Sequence, residues 1–271
     1  MTFWICRTCG VEHESRPDVC AICADERQWV PADGQHWTTL EELATDGQRI
    51  TVHELEPDLF GLRTVPDVGI GPTAKIVRTT AGNLMFDVPS YLDDNAVTAV
   101  QDLGGLAYIV ASHPHMYGVQ VEWSHRLGEV PILISEPDTT WLARPDHTIE
   151  AWKGDREILP GITLSQPGGH FPGSAVAHWS AGASDHGVLL SGDTIFANPD
   201  RTSVSFMRSY PNRIPLSGPV VQRIAHHVSR FQFDRLYNNF DGIIPTNARE
   251  IVLRSAERHA AWTRGDFDHL T

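Results

Sequence analysis

The stretch that most constrains this chain is Leu106–Gly118, which reads LAYIVASHPHMYG. Its first half is an apolar run rich in Tyr, Ile and Val that follows a Gly-Gly pair, a pattern typical of a buried strand. The run ends at His113-Pro114-His115, so two imidazoles one residue apart lie on the loop at the strand exit. Such a pair can ligate one metal ion when other parts of the chain supply the remaining ligands. Taken alone, two ordinary histidines beside a loop proline are the simpler interpretation.

All four cysteines fall within the first 23 residues, as Cys6-x-x-Cys9 and Cys20-x-x-Cys23. Two such pairs at short separation let four thiolates converge on one ion, which predicts a zinc ribbon. Disulfides are the alternative, but the sequence before Cys6 lacks the features of a secretory signal, so we expect reduced thiols and a cytoplasmic protein. Iron, as in rubredoxin, is the second option for the same four sulfurs. A module this small needs its metal to fold, and we expect a structural or docking role.

The length of 271 residues allows one large domain with a small appendage. A short helix is predicted after the cysteines, because Thr38 and Glu41 have capping-box spacing and Asp46-Gly47 ends the turn. We therefore predict a cysteine module with its linker helix over residues 1–48 and a main domain over residues 49–271.

The charge of the chain bounds its partners. The formal net charge is −13 and no dense Lys/Arg cluster occurs, which disfavours nucleic acid and an anionic membrane surface. No apolar run reaches membrane-spanning length. We expect a small-molecule partner, and the sequence leaves the oligomeric state open.

Beyond residue 75, apolar strand-like runs come first in series and then alternate with amphipathic segments. This order predicts a mixed α/β fold in which helices cover the sheets. The predicted strands lie near residues 75–80, 83–88, 106–110, 130–134, 161–166, 175–179, 187–191 and 233–237, and the predicted helices near residues 94–103, 138–143, 219–230 and 247–263.

Two further motifs carry groups that can bind metal. The glycine-rich segment QPGGHFPGS presents His170 on a turn, and VLLSGD places Asp193 at the exit of an apolar strand. A turn alone explains either motif, since glycine tolerates positive φ and aspartate often initiates turns.

In order and rough spacing, strand–HxH, GGH on a turn and strand–GD resemble the metallo-β-lactamase superfamily over about residues 50–271. The resemblance implies an αββα sandwich with a metal site at one edge of the two sheets. It also implies that His113, His115 and His170 ligate the first metal and that Asp193 is the carboxylate bridging to a second metal in dinuclear members. Together with VEWSH, GGHFPG and SFMRSYPN, the cysteine module is similar to one subgroup of that superfamily with an N-terminal zinc-ribbon or rubredoxin-like module.

The chain departs from that superfamily at the second metal. Where members commonly read His-x-His-x-Asp-His, the last two positions here are Tyr117 and Gly118, and Phe240 stands where a final histidine is usual. Neither neutral tyrosine nor glycine is a normal ligand, and whether Asp241 substitutes for the missing histidine stays open. We expect one ion, zinc rather than iron, held by His113, His115, His170 and Asp193.

Zinc held by three neutral imidazoles can lower the pKa of its bound water to about 7. The leading hypothesis is hydrolysis of an ester, lactone, thioester or amide, with Asp193 as ligand or base. Tyr117 is a candidate donor to the oxyanion or leaving group, and simple packing explains it equally well. Arg208, Tyr210 and His125 are candidate substrate contacts, although an ion pair with a nearby acid accounts for Arg208 as well.

Two other functions remain open. His113, His170 and Asp193 match the ligand set of non-haem iron oxygenases, and sulfur dioxygenases of the superfamily use one iron in this way. His115 argues against this, since a fourth ligand crowds the face that O₂ needs. The second alternative is a degenerate site in a binding or scaffold protein that acts through its ribbon. Nuclease activity fits poorly with the acidic charge and the missing second metal.

Overall fold

The computed structural model describes residues 3–271. The chain divides into two compact units, Met1–Trp152 and Lys153–Thr271, and each has its own buried hydrophobic cluster. The cysteine module lies within the first unit, and the boundary near residue 48 stays a prediction.

The cysteine module is a three-stranded antiparallel sheet with two short helices. Its strands pair in the order β2-β1-β3. The elements are β1 (Trp4–Cys6), β2 (Glu12–His13), α1 (Ala21–Ala24), β3 (Trp37–Thr38) and α2 (Leu40–Thr45).

The capping box of α2 is formed by Thr39 and Glu42, one residue later than predicted. Thr39 has the extended backbone of an N-cap, and its side chain accepts a hydrogen bond from the Glu42 N–H at 3.2 Å. Thr38 instead belongs to β3, and its hydroxyl donates to Glu42 Oε2 at 3.0 Å. The choice between two adjacent threonines is therefore made by the strand that pairs with β1.

The main sheet of the first unit has seven strands in the order β10-β9-β8-β7-β6-β5-β4. Pairing is antiparallel from β4 to β7 and parallel from β7 to β10, so strand β8, which leads to His113, has a neighbour on each side. The elements are β4 (Arg49–Glu56), β5 (Leu59–Val65), β6 (Thr73–Val77), β7 (Leu84–Phe86), α3 (Asp94–Asp102), β8 (Tyr108–Val110), α4 (Gln120–Arg126), β9 (Ile132–Ser135) and β10 (Ile149–Trp152).

Two segments of this unit differ from the sequence prediction. The β4–β5 hairpin was not predicted, because β4 has no fully buried position and so lacks an apolar run. The segment predicted as a helix near residues 138–143 is a 3₁₀ helix over Glu136–Trp141. Pro137 at its start and an i→i+3 hydrogen bond from Leu142 to Thr139 suit this tighter, shorter turn.

The second unit contains a six-stranded sheet in the order β11-β12-β13-β14-β19-β20. Only the β14–β19 pair is parallel within it, and two short two-stranded ribbons join β15 to β16 and β17 to β18. The elements are β11 (Arg156–Leu159), β12 (Ile162–Ser165), β13 (Val176–Trp179), α5 (Gly182–Asp185), β14 (Val188–Leu190), β15 (Phe196–Ala197), β16 (Val204–Ser205), β17 (Met207–Ser209), β18 (Ile214–Pro215), α6 (Gly218–Val228), β19 (Arg235–Tyr237), β20 (Ile243–Ile244) and α7 (Ala248–Thr263).

Helices α6 and α7 contribute buried apolar side chains to the same cluster as β13, β14 and β19. Sheets covered by helices in this way confirm the predicted mixed α/β fold. Among the described residues, no helix has both the length and the apolar character needed to cross a membrane.

Candidate metal centres

The first pair of histidines lies on the loop that follows β8. Ser112 is the second residue after β8, and His113 has an extended backbone. Pro114–Met116 then forms one 3₁₀ turn that carries His115. Both histidines are 2% exposed, and their ring centroids are 5.1 Å apart with the planes at 76°. The loop therefore brings two buried imidazoles together at the end of a central strand.

Two buried side chains orient His113. Ser112 Oγ lies 2.9 Å from His113 Nδ1, and Asp87 Oδ1 accepts the Ser112 N–H at 2.8 Å. Burial raises the pKa of Asp87, while the neighbouring His113 ring and the Ser112 N–H act in the opposite direction. In the tautomer with the proton on Nδ1, the ring donates to Ser112 and its Nε2 lone pair suits a metal ion.

His170 and Asp193 lie close together in the second unit. His170 sits on the glycine turn, where Gly168 and Gly169 have φ of +65° and +107°. Its Nδ1 lies 3.1 Å from the Met207 carbonyl oxygen, which only accepts, so Nδ1 carries the proton and Nε2 the lone pair. His170 Nε2 is 3.7 Å from Asp193 Oδ2. This separation exceeds a good hydrogen bond and is near the spacing of about 3.4 Å between tetrahedral zinc ligands.

His113, His115, His170 and Asp193 are one of the groups of described residues that could hold a metal ion, and all four side chains are buried. Three imidazoles and one carboxylate form a donor set suited to zinc, and also to iron. This cluster can bind a metal ion.

The positions expected for a second metal hold other groups. Tyr117 is 2% exposed and its hydroxyl donates to the Asp138 carbonyl oxygen at 3.0 Å, while burial raises the pKa of Tyr117 well above its usual value. Gly118 has φ of +50°, and a Cβ there would overlap the carbonyl oxygens of Val88 and Pro89. A histidine is therefore sterically excluded at position 118. Asp241 is exposed and belongs to none of the ligand groups found in residues 3–271.

The four cysteines form a second cluster within the cysteine module. Cys6 Sγ is 3.5 Å from Cys23 Sγ, and Cys9 Sγ is 3.8 Å from Cys20 Sγ. Thiolates bound to one zinc ion are about 3.8 Å apart, whereas a disulfide bond is about 2.05 Å long. All four thiols are free and at most 1% exposed, so the disulfide alternative is excluded in this structure.

Polar groups contact two of the four sulfurs. Gln35 Nε2 donates to Cys6 Sγ at 2.9 Å, and hydrogen bonds with Cys23 and Cys9, against an opposing contribution of Cys20, lower the pKa of Cys6 from 9.0 to about 7. Hydrogen bonding with Cys20 raises the pKa of Cys9 and of Cys23. His13 Nε2 lies 3.5 Å from Cys20 Sγ. The cluster can bind a metal ion through its four sulfur atoms.

The remaining predicted residues have structural partners. The Tyr210 hydroxyl donates to the Asp193 carbonyl oxygen at 2.9 Å, and its ring lies 5.9 Å from that of His170. Arg208 is partly buried on β17, beside the Met207 carbonyl that orients His170. The catalytic role of Tyr117 and the substrate contacts of Arg208 and Tyr210 stay predictions.

His125 forms part of a third, more exposed group. Its Nε2 lies 3.0 Å from Asp146 Oδ2, and His147 Nδ1 lies 3.3 Å from Asp146 Oδ1. The Thr148 N–H and hydroxyl donate to the same carboxylate, which they hold in place. The Asp146 ion pair accounts for the position of His125, and its predicted substrate contact stays a prediction.

Two buried carboxylates that accept backbone N–H groups on either side of the His113–His115 loop were not predicted from the sequence. Asp87 follows strand β7 as Asp193 follows β14, so a carboxylate at a strand exit was its available signal. Glu12 accepts the Val121 N–H at 2.5 Å from a position 109 residues earlier, and its sequence context carries no signal for that contact.

The comparisons with known proteins agree with the motifs. No protein-family profile matches the sequence. The uncharacterized protein YmaE of Bacillus subtilis (strain 168) is 42% identical over 274 residues, which cover 99% of this chain and 100% of YmaE.

Solved structures share the fold at low sequence identity. The DIM-1 metallo-β-lactamase matches 78% of this chain and 98% of its own, with a TM-score of 0.59 at 14% identity. FIM-1 from Pseudomonas aeruginosa, in its mono-zinc form, matches 78% of this chain and 96% of its own, with a TM-score of 0.57 at 13% identity. A metallo-β-lactamase from Erythrobacter litoralis matches 78% and 93%, with a TM-score of 0.54 at 12% identity. The predicted fold is therefore confirmed as that of the metallo-β-lactamases, and the chain belongs to the family of YmaE.

Proposed function

We propose that this protein is a metal-dependent hydrolase that acts on an ester, lactone, thioester or amide of a small molecule. The observation that carries the proposal is the group of four buried donors that could hold a metal ion, His113, His115, His170 and Asp193. The oriented tautomer of His170 supports it, because the Met207 carbonyl leaves the Nε2 lone pair for a ligand bond. We propose zinc as the ion of this site.

A zinc ion held by the three imidazoles and the Asp193 carboxylate would supply Lewis acidity and would lower the pKa of a water molecule that it binds. Asp193, whose Oδ2 lies 3.7 Å from His170 Nε2, is ligand or base, and in the second role its carboxylate would accept the one proton that the attacking water loses. The Tyr210 hydroxyl holds the backbone of Asp193 through its carbonyl oxygen, which keeps the carboxylate aligned. Burial of all four donors excludes bulk water and strengthens the electrostatic interactions inside the site.

The site is proposed to use one ion. Tyr117 and Gly118 fill the positions of missing second-site ligands, and the steric exclusion at Gly118 supports this. FIM-1 crystallised in a mono-zinc form, so a protein with this fold holds a single zinc ion. With one ion, a protein group must stabilise the developing negative charge of the substrate. Arg208, next to Met207 on β17, is the proposed contact for a substrate carboxylate.

Metal analysis of protein purified with and without oxygen, combined with electron paramagnetic resonance, tests the proposal. We expect zinc in the cysteine cluster and zinc in the His113 cluster, one ion each. In His113→Ala, zinc remains only in the cysteine cluster, and turnover of a panel of esters, lactones, thioesters and amides falls to the uncatalysed background. The control His226→Ala, at an exposed position of α6, keeps both ions and full turnover.

Each competing function has its own outcome. Iron in the His113 cluster, with oxygen uptake on a sulfur substrate, would replace hydrolysis by oxygenation. Two ions in that cluster would refute the single-ion site. A His113→Ala variant with undiminished biological function would favour a scaffold that acts through the cysteine module.

A further inference from the structure

Glu12 is a buried carboxylate of the cysteine module that contacts the segment after the metal loop. It lies on β2, three residues after Cys9, and is 2% exposed. Its N–H donates to the Gly118 carbonyl oxygen at 2.9 Å, and its Oε1 accepts the Val121 N–H at 2.5 Å. Gly118 is the third residue after His115, and Val121 lies in the first turn of α4. The side chain thus caps the helix that begins where the histidine loop ends.

Arg144 neutralises Glu12. Arg144 Nη1 donates to Glu12 Oε2, its Nη2 lies 3.6 Å from Glu122 Oε2, and its guanidinium carbon lies 4.2 Å from the centre of the Phe3 ring. A paired carboxylate in a buried position resists displacement, because removing one partner leaves an uncompensated charge. The Glu12 contact is therefore held from both sides.

The cysteine module also packs against the segment Val88–Ser90, which is hydrogen-bonded to the His113–His115 loop and the residues after it. A Cβ on Gly10 would overlap the side chain of Ser90, so the backbone of the cysteine module lies directly against this residue. The two residues before Ser90 bind the loop: the Val88 N–H donates to the Met116 carbonyl at 3.2 Å, and the Val119 N–H donates to the Pro89 carbonyl at 3.2 Å.

We propose that Glu12 is a positioning residue through which the cysteine module clamps the His113–His115 loop, so that metal binding at the two clusters is thermodynamically coupled. A filled cysteine cluster fixes β1 and β2, β2 fixes Gly118 and Val121, and the histidines stay in their ligating arrangement. Because coupling is reciprocal, metal at the histidines also tightens binding at the cysteines. The inference rests on the proposed function only in that the His113 cluster binds metal, and it is independent of the reaction.

The test measures Zn²⁺ affinity at the His113 cluster by competition with a chromophoric chelator, in the full chain with its cysteine cluster loaded. Glu12→Ala weakens this affinity about 10- to 100-fold, the usual effect of losing a group that orients a ligand. Glu12→Gln keeps an oxygen for the Val121 N–H and recovers part of the loss. Glu41→Ala, at an exposed carboxylate of α2 in the same module, is the matched control and leaves affinity unchanged.

The visible spectrum of Co²⁺ at the His113 cluster is the second readout, since thiolate charge-transfer bands separately mark Co²⁺ at the cysteines. Glu12→Ala changes this spectrum, whereas a purely structural role changes only Tm. If Glu12→Ala fails to fold, Glu12→Gln decides, and unchanged affinity with an unchanged spectrum overturns the inference. A wild-type His113 cluster that binds no metal overturns the proposed function as well.

Discussion

The two metal centres differ in how the chain brings their ligands together. The four cysteines lie between residues 6 and 23 of one small module, whereas the other four ligands span residues 113 to 193 on loops that follow buried strands. We expect the cysteine module to have too little core of its own to fold without a bound ion. The histidine loop is instead held by the seven-stranded sheet and its hydrophobic cluster. We therefore expect a metal ion to be part of the fold at the cysteine cluster and an occupant of a prebuilt site at the His113 cluster.

Cys20→Ser has the largest expected effect on the fold. Structural zinc contributes about 10–16 kcal/mol in zinc-finger peptides, so we expect a loss of at least about 5 kcal/mol here. Ile5, Val11 and Leu43 of the module share one buried cluster with Ile76 and Ile109 of the sheet, so the loss spreads into the first unit. Thermal unfolding would show Tm lower by about 10–20 °C. Ala21→Ser, at the exposed neighbouring position, is the control and leaves Tm unchanged.

The pH dependence of the free energy of unfolding tests the contact of Glu12, which lies in the cysteine module and bonds to the backbone after the His113–His115 loop. Burial raises the pKa of Glu12 from 4.5 to about 7, against the opposing charge of Arg144. Between these values the folded chain keeps a proton that the unfolded chain releases, so the free energy of unfolding falls as pH rises. Over the whole range from pH 4.5 to 7, the free energy of unfolding falls by about 3 kcal/mol from this group.

Urea unfolding of the wild type and Glu12→Gln at pH 4.5, 6 and 8 measures this contribution. The difference between the two proteins removes most of the pH dependence of metal binding, which they share. We expect the wild type to lose stability relative to Glu12→Gln as pH rises. A constant difference across the series would show that Glu12 keeps an ordinary pKa in the folded protein.

Tyr117→Phe has a smaller expected effect. The change removes the hydrogen bond to the Asp138 carbonyl, so the free energy of unfolding falls by about 1 kcal/mol. If Tyr117 only packs, kcat/KM stays at the wild-type value. A fall of about 100-fold or more would instead identify it as the proton or hydrogen-bond donor of the reaction.

Removal of metal from the His113 cluster has the smallest expected effect on the fold. We expect the His113 cluster to bind its ion more weakly than the four cysteines, so a chelator of intermediate affinity removes this ion first. Circular dichroism at 25 °C is then unchanged, while turnover stops. Tm falls only by mass action, and adding zinc restores both Tm and turnover. Loss of secondary structure when this ion is removed would show that the His113 cluster, like the cysteine cluster, needs its metal ion for folding.

Local signals predicted much of this protein. Helices α3, α6 and α7 follow from amphipathic runs with clear ends, and Asp93 caps α3 by accepting the Ala96 N–H. The β4–β5 hairpin was not predicted, because β4 is half-exposed and its apolar and polar residues alternate only weakly. The residues 136–141 were misjudged because a short segment with an early proline has too few turns for periodicity to separate a 3₁₀ helix from an α-helix.

The sequence by itself determined the ligand types and their local spacing: four cysteines in two knuckles, two histidines at one strand exit, and His170 and Asp193 on turns. Only the tertiary structure decided which partners orient them. Glu12 reaches Val121 across 109 positions and Arg144 across 132, and Asp87 reaches Ser112 across 25. A hydrogen bond between residues so far apart depends on how strands pair and how loops pack. Neither produces a local pattern in the sequence around the two residues that form the bond.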